Sequence, residues 1–122
     1  MNRSIINPIN FPKMSYSHAV KIGEFIHISG QVGMDYNTGI MHDEFELQAR
    51  QAFENLSLVL QSADSSLDKV IKTTVWLKNP ANFESLNNLF SEYFPENAPT
   101  RSTPVVDLPI DKILISIEAI AV

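Results

Sequence analysis

Two hydrophobic periods alternate along this chain, and the switches between them mark out its elements. The first fifteen residues show neither period. Asn, Pro and Ser predominate, and an irregular arm is expected over 1–15. AVKIGEFIHISG then reads as a hairpin, with strands over 19–22 and 25–29 and Gly23-Glu24 as a two-residue turn. DYNTG (35–39) is a second turn cluster. From 46 to 63 the spacing changes to three and four. Ala49, Ala52, Phe53, Leu56, Leu60 and Ala63 share one face of a helix, and Gln48, Arg50, Gln51, Glu54 and Asn55 supply its wet face. VIKTTVWLK (70–78) is β-branched and reads as a buried strand that Asn79-Pro80 ends. A second helix is expected over 82–94, with Phe83, Leu86, Phe90, Tyr93 and Phe94 on or near one face and Asn82 as N-cap. Residues 100–107 form a strand that Pro104 confines to an edge or a bulge. ILISIEAIAV (113–122) is the last strand.

The order ββ, α, β, α, ββ predicts an α+β fold, a mixed sheet with two helices packed on one face. The last strand sharpens this. Ile113, Ile115, Ile117, Ala119 and Ala121 point one way and pack on the helices, whereas Leu114, Ser116, Glu118, Ile120 and Val122 point the other. The second face is largely apolar too, which suggests a cover such as another subunit. Glu118 then either needs a buried partner or sits at a wet rim or in a structural ion pair.

Composition narrows the function classes. A length of 122 residues suits one domain over 1–122, and 44% hydrophobic with 19% charged residues suits a globular chain. No cysteine is present, which excludes thiolate metal sites, disulfides and a cysteine nucleophile. A net charge of −5 argues against a nucleic-acid backbone as main partner. The first residues do not form a signal peptide and no apolar run reaches the length of a membrane span, so a cytoplasmic protein is expected. His18, His27 and His42 are scattered without metal-ligand spacing and read as surface or core histidines. Gly30 and Gly33 are single loop glycines, explained by turn geometry at least as well as by phosphate binding. Arg101, in PTRSTP, is either a fork for a planar carboxylate or half of a surface salt bridge.

Several stretches together resemble the Rid family of reactive enamine/imine deaminases, also called the YjgF-type or L-PSP family. They are SYSHAV (15–20), ISGQVG (28–33), TGIMHDEFELQARQAFENL (38–56), SSLDKVIKTTVWLKNPANF (65–83), LNNLFSEYF (86–94), PTRS (99–102) and IEAIAV (117–122). The resemblance implies a chorismate-mutase-like fold and a homotrimer with sites between subunits. It also implies a small 2-imino or 2-oxo acid ligand, conversion of 2-aminoacrylate-type substrates to 2-oxo acids and ammonia, and no cofactor. Carried over by residue, Arg101 matches the arginine that grips the substrate carboxylate, which resolves its two readings in favour of the fork. Gly30 and Thr103 match positions whose backbone N–H groups contact the ligand. Tyr16, Ser29 and Asn87 match pocket-lining positions, and Phe11 lies in the arm that approaches the cleft.

One position departs from the family. Deaminase members end in a pattern like EIEAIAV, and the first glutamate is linked to the catalytic water. Here Ser116 stands in its place, and Glu118 matches the second glutamate. A hydroxyl holds a water but is a poor base, so deamination is expected to be slow. A non-catalytic member that binds small carboxylates is the second reading. Ribonuclease or translation-inhibitor activity is a third, which the acidic charge disfavours.

Overall fold

The computed structural model describes residues 2–122. Its centre is a six-stranded mixed sheet in the order β1-β2-β3-β8-β6-β7. The strands are β1 (Arg3–Ile6), β2 (Ala19–Ile22), β3 (Phe25–Val32), β6 (Val70–Leu77), β7 (Thr100–Ser102) and β8 (Ile115–Ala121). β4 (Met34–Asp35) and β5 (Ile40–Met41) form a separate two-stranded ribbon around the DYNTG turn. Only the β6–β7 pairing is parallel. Helices α1 (Phe45–Ser62) and α2 (Phe83–Tyr93) pack together against one face, giving the α+β architecture that the pattern predicts.

The hairpin forms as its residues dictate. Gly23 takes φ +59° in the turn, a conformation glycine adopts without steric cost. β8 lies between β3 and β6, and Ile115, Ile117, Ala119 and Ala121 are all buried beneath the helices. Phe53 of α1 stacks on Tyr93 at 4.5 Å and meets Phe90 and Phe94 edge-on, which joins α2 to the core. Aromatic contacts of this kind add about 0.5–1.5 kcal/mol beyond their buried area.

Four expectations are corrected. The arm over 1–15 is not wholly irregular: Arg3–Ile6 pairs antiparallel with β2, because the β-branched pair Ile5-Ile6 precedes the Pro8 break. Gln48 and Asn55 are not on the wet face of α1 but fully buried. Their amides replace missing backbone partners. Gln48 donates to the carbonyls of His42 and Lys112 and accepts from the Leu114 N–H, while Asn55 donates to the carbonyls of Val32 and Met34. Asn82 makes no side-chain cap. Asn79 does the capping, its Oδ1 accepting from the Ala81 N–H at 2.9 Å to open a 3₁₀ turn that leads into α2. Finally β7 is short. Pro104 cannot donate, so the ladder breaks after Ser102 and resumes only as a bridge between Leu77 and Val105.

The outer face of the sheet carries no helix. His27, Ser29, Lys72, Thr74 and Glu118 line a hollow of about 330 Å³ there. Glu118 is exposed and forms no ion pair among the described residues, which favours the wet rim over a buried pair.

Candidate functional site

The strands β3 and β8 run in register except at one point. Ile28 pairs with Ala119 and Gln31 with Ile117, so Ser29 and Gly30 form a bulge opposite Glu118. Bulges re-aim side chains and recur beside functional sites. This one is fixed from several directions. The Ser29 hydroxyl donates to the Ser17 carbonyl at 2.7 Å. The buried Gln31 amide donates to the Ser29 carbonyl at 3.1 Å. The Ser29 N–H donates to the His18 carbonyl at 2.9 Å.

A side chain at 30 would displace the Ser116 hydroxyl. A Cβ there would lie 2.4 Å from the Ser116 Oγ. The Ser116 hydroxyl therefore sits directly over the bulge. Around it is a cleft of about 540 Å³ that also takes in Tyr16, Ser29, Gly30 and Glu118. Five of the expected site residues are thus brought together: two by the bulge, two by alternate positions of β8, and Tyr16 by the segment ahead of β2.

Arg101 is elsewhere. It pairs with Thr73 at the β7 edge, two strands from β8. Its guanidinium lies over the Phe90 ring at 4.8 Å and near Phe83 at 5.6 Å. Nη2 donates to Asn87 Oδ1 at 2.6 Å, and Nε donates to Thr103 Oγ1 at 2.9 Å. Phe83, Asn87 and Phe90 follow the i, i+4, i+7 spacing, so one stripe of α2 supplies the cradle apart from Thr103. No carboxylate reaches Arg101 among the described residues. Burial pushes its pKa down from the usual range, but an arginine stays charged at any ordinary pH. With two of five N–H donors engaged, three remain for an anion. A cation fixed in this way and lacking a counter-ion is suited to hold an anion.

The site residues thus fall into two groups. Arg101, Asn87 and Thr103 lie on the helix side at the sheet edge. Tyr16, Ser29, Gly30, Ser116 and Glu118 lie at the outer face. The sheet lies between them within one copy of the chain. Thr103 contributes its hydroxyl to the cradle, in addition to the backbone position expected of it. Phe11 does not line the Ser116 cleft. It packs on the His18 and Tyr36 rings at 5.0 and 4.7 Å, closing the arm against the ribbon. Burial, and next the nearby Tyr16, raise the Tyr36 pKa. Residue patterns did not point to Val32, Leu108, Pro109 and Ile110 as cleft lining, because they come from one strand and a loop without a shared period, and Ile113, expected on the helix face with Ile115, lines the cleft instead because β8 begins only at Ile115. Phe83 and Phe90 were legible as a helix face but not as a platform for Arg101. No group of three or more His, Asp or Glu is placed to hold a metal among the described residues, and no helix among them is long and apolar enough to cross a membrane.

The family model described as endoribonuclease L-PSP matches residues 9–122. A RutC family protein of Pyrococcus horikoshii is 42% identical over 98% of this chain and 97% of its own length. Human 2-iminobutanoate/2-iminopropanoate deaminase is 37% identical over 88% of this chain and 79% of its own length. The crystal structure of TdcF from E. coli with bound serine superposes with a TM-score of 0.90 at 31% identity, covering 98% of both chains. The chain belongs to the Rid (endoribonuclease L-PSP) family, whose members include imine deaminases.

Proposed function

We propose that this protein hydrolyses reactive 2-imino and 2-enamino acids to 2-oxo acids and ammonia, at sites built between neighbouring copies of the chain. The observation that carries this reading is Arg101, a cradled guanidinium without a counter-ion, set on the opposite side of the sheet from Ser116. A second copy unites the two groups by laying its β7 edge against the outer face of the first, and a homotrimer closes such head-to-tail contacts.

The carboxylate of the substrate binds the free N–H donors of Arg101 from one copy. Backbone N–H groups at Gly30 and Thr103 hold the rest of the ligand. The imine carbon then lies over Ser116 of the other copy. The Ser116 hydroxyl accepts a hydrogen bond from the attacking water and orients it. Water adds to the C=N carbon, the nitrogen gains a proton, and the tetrahedral adduct expels ammonia as the C=O bond forms. Glu118 lies on the same face about 6.6 Å further along β8. That spacing lets it collect the proton through one intervening water, which suits a slow general base. Imines hydrolyse readily, so binding and orientation supply much of what is needed.

The hydroxyl at 116 favours a second reading, a regulatory member that holds small 2-oxo acids without turnover. One assay separates the two. Ammonia release from freshly generated 2-iminopropanoate is followed with native protein and with Arg101→Ala. Acceleration that Arg101→Ala abolishes is expected. Saturable binding of pyruvate with no acceleration would establish the regulatory reading instead.

A further inference from the structure

The cleft over Ser116 has more apolar wall than a three-carbon acid fills. Val32 from β3, Ile113 just ahead of β8, and the loop residues Leu108, Pro109 and Ile110 form one wall, opposite a polar side of Tyr16, Ser29, Gly30, Ser116 and Glu118. Ile110 is 61% exposed, a large aliphatic side chain that nothing in its own chain covers. The volume of about 540 Å³ lies within the range of small-ligand pockets. The polar side is uncharged at 116, and an apolar group beside a hydroxyl displaces less tightly held water than one beside a carboxylate.

We infer that this wall receives the side chain of the substrate, so that the site selects 2-imino acids carrying a branched or extended aliphatic group over those carrying a methyl. Leu108 and Ile110 are the specificity-determining residues. The inference rests on the reading of Arg101 and Ser116 as one site. The carboxylate at Arg101 and the imine carbon over Ser116 leave the side chain as the only apolar part of the ligand to meet the apolar wall. A single methylene in a well-formed apolar pocket changes selectivity by about 10- to 200-fold. For an open cleft the lower end applies to the whole isobutyl group, a preference of about tenfold.

The test uses the assembled protein and Ile110→Asn, with two readouts. The first is kcat/KM for the imino acids generated in the assay from leucine and from alanine by an amino-acid oxidase. The second is the Kd of 4-methyl-2-oxopentanoate and of pyruvate by calorimetry. Both readouts are expected to favour the branched acid by about tenfold, and Ile110→Asn is expected to shrink that ratio to about threefold or less. Equal or reversed ratios in both readouts overturn the inference and leave the deaminase reading intact. A tenfold order in binding without acceleration of either imine supports the side-chain subsite and overturns the deaminase reading. An Ile110→Asn protein that falls apart into single chains, with the ratio unchanged in the remaining assembly, overturns the inference and marks the loop as a contact between copies.

Discussion

Ser116 and Gly30 are complementary at the level of single atoms. The serine hydroxyl occupies the space that a side chain at 30 would need, 2.4 Å from the position of its Cβ, whereas the Ser116 Cβ stays at 3.8 Å. Gly30→Ala therefore forces the hydroxyl into another staggered rotamer and is expected to cost no more than about 1 kcal/mol of stability. Gly30→Ala combined with Ser116→Ala removes the clashing oxygen. The pair is expected to be more stable than Gly30→Ala alone, a coupling that denaturant midpoints in a double-mutant cycle measure. Ser116→Glu restores a carboxylate at the water-activating position and is expected to raise kcat by about 10²-fold or more. A rate unchanged by that substitution, in a protein with native oxo-acid binding, would show that proton transfer does not limit the reaction. Arg101 stood out in the sequence by its place in PTRSTP, but its lack of a counter-ion was invisible there. That property belongs to the packing of α2 against β7, which brings Asn87 and Phe90 to the guanidinium and no acid.

At the scale of elements, buried amides hold the loops that frame the cleft. Gln48 joins α1 to the segment leading into β8 through the Lys112 carbonyl and the Leu114 N–H, and to the His42 carbonyl ahead of the helix. Gln48→Leu leaves those groups unpaired, and a loss of about 2 kcal/mol or more is expected in urea unfolding. The sequence placed Gln48 on the wet face because polarity was its only visible trait. Partners 64 and 66 residues away are not readable from a local pattern. The helices, the hairpin and the last strand were readable, since their periods are local and the core enforces them. At the same loop Lys78 Nζ lies 2.6 Å from Asp111 Oδ1 and holds the Asp111 carboxyl below its ordinary range. A depressed folded-state pKa gives stability that is present above the unfolded value, about 3.9, and is lost as pH falls through the folded one. Asp111→Asn is therefore expected to lower the urea midpoint slightly at about pH 6 and not at all once both states are protonated, near pH 2. Equal midpoints at both pH values would show that this exposed pair contributes nothing, the outcome common to many surface ion pairs.

For the whole molecule, the proposed function requires a site that two copies of the chain complete together. The outer face of the sheet bears Ser116 and Glu118, and the edge at β7 bears Arg101 with its free donors. The apolar character of the outer positions of the last strand hinted at a cover, and the family resemblance named a trimer. The alternation along the last strand placed Ser116 and Glu118 away from the helices, but it left Arg101 unplaced, because that depends on the parallel pairing of β7 beyond the one intervening strand, β6. The acidic balance, −5 over the chain, sets a small anion bound at one arginine apart from a polyanion that needs a basic track. The measurement that tests this account most directly is complementation between two defective chains. Arg101→Ala and Ser116→Leu are each prepared and shown to assemble, then unfolded together and refolded as a mixture. Each alone is expected to release ammonia from 2-iminopropanoate no faster than buffer. Random mixing gives native pairs of Arg101 and Ser116 at about a quarter of the interfaces, so about a quarter of native activity is expected to return. A mixture as inactive as its components, with the mixed assemblies verified, would contradict a site shared between copies.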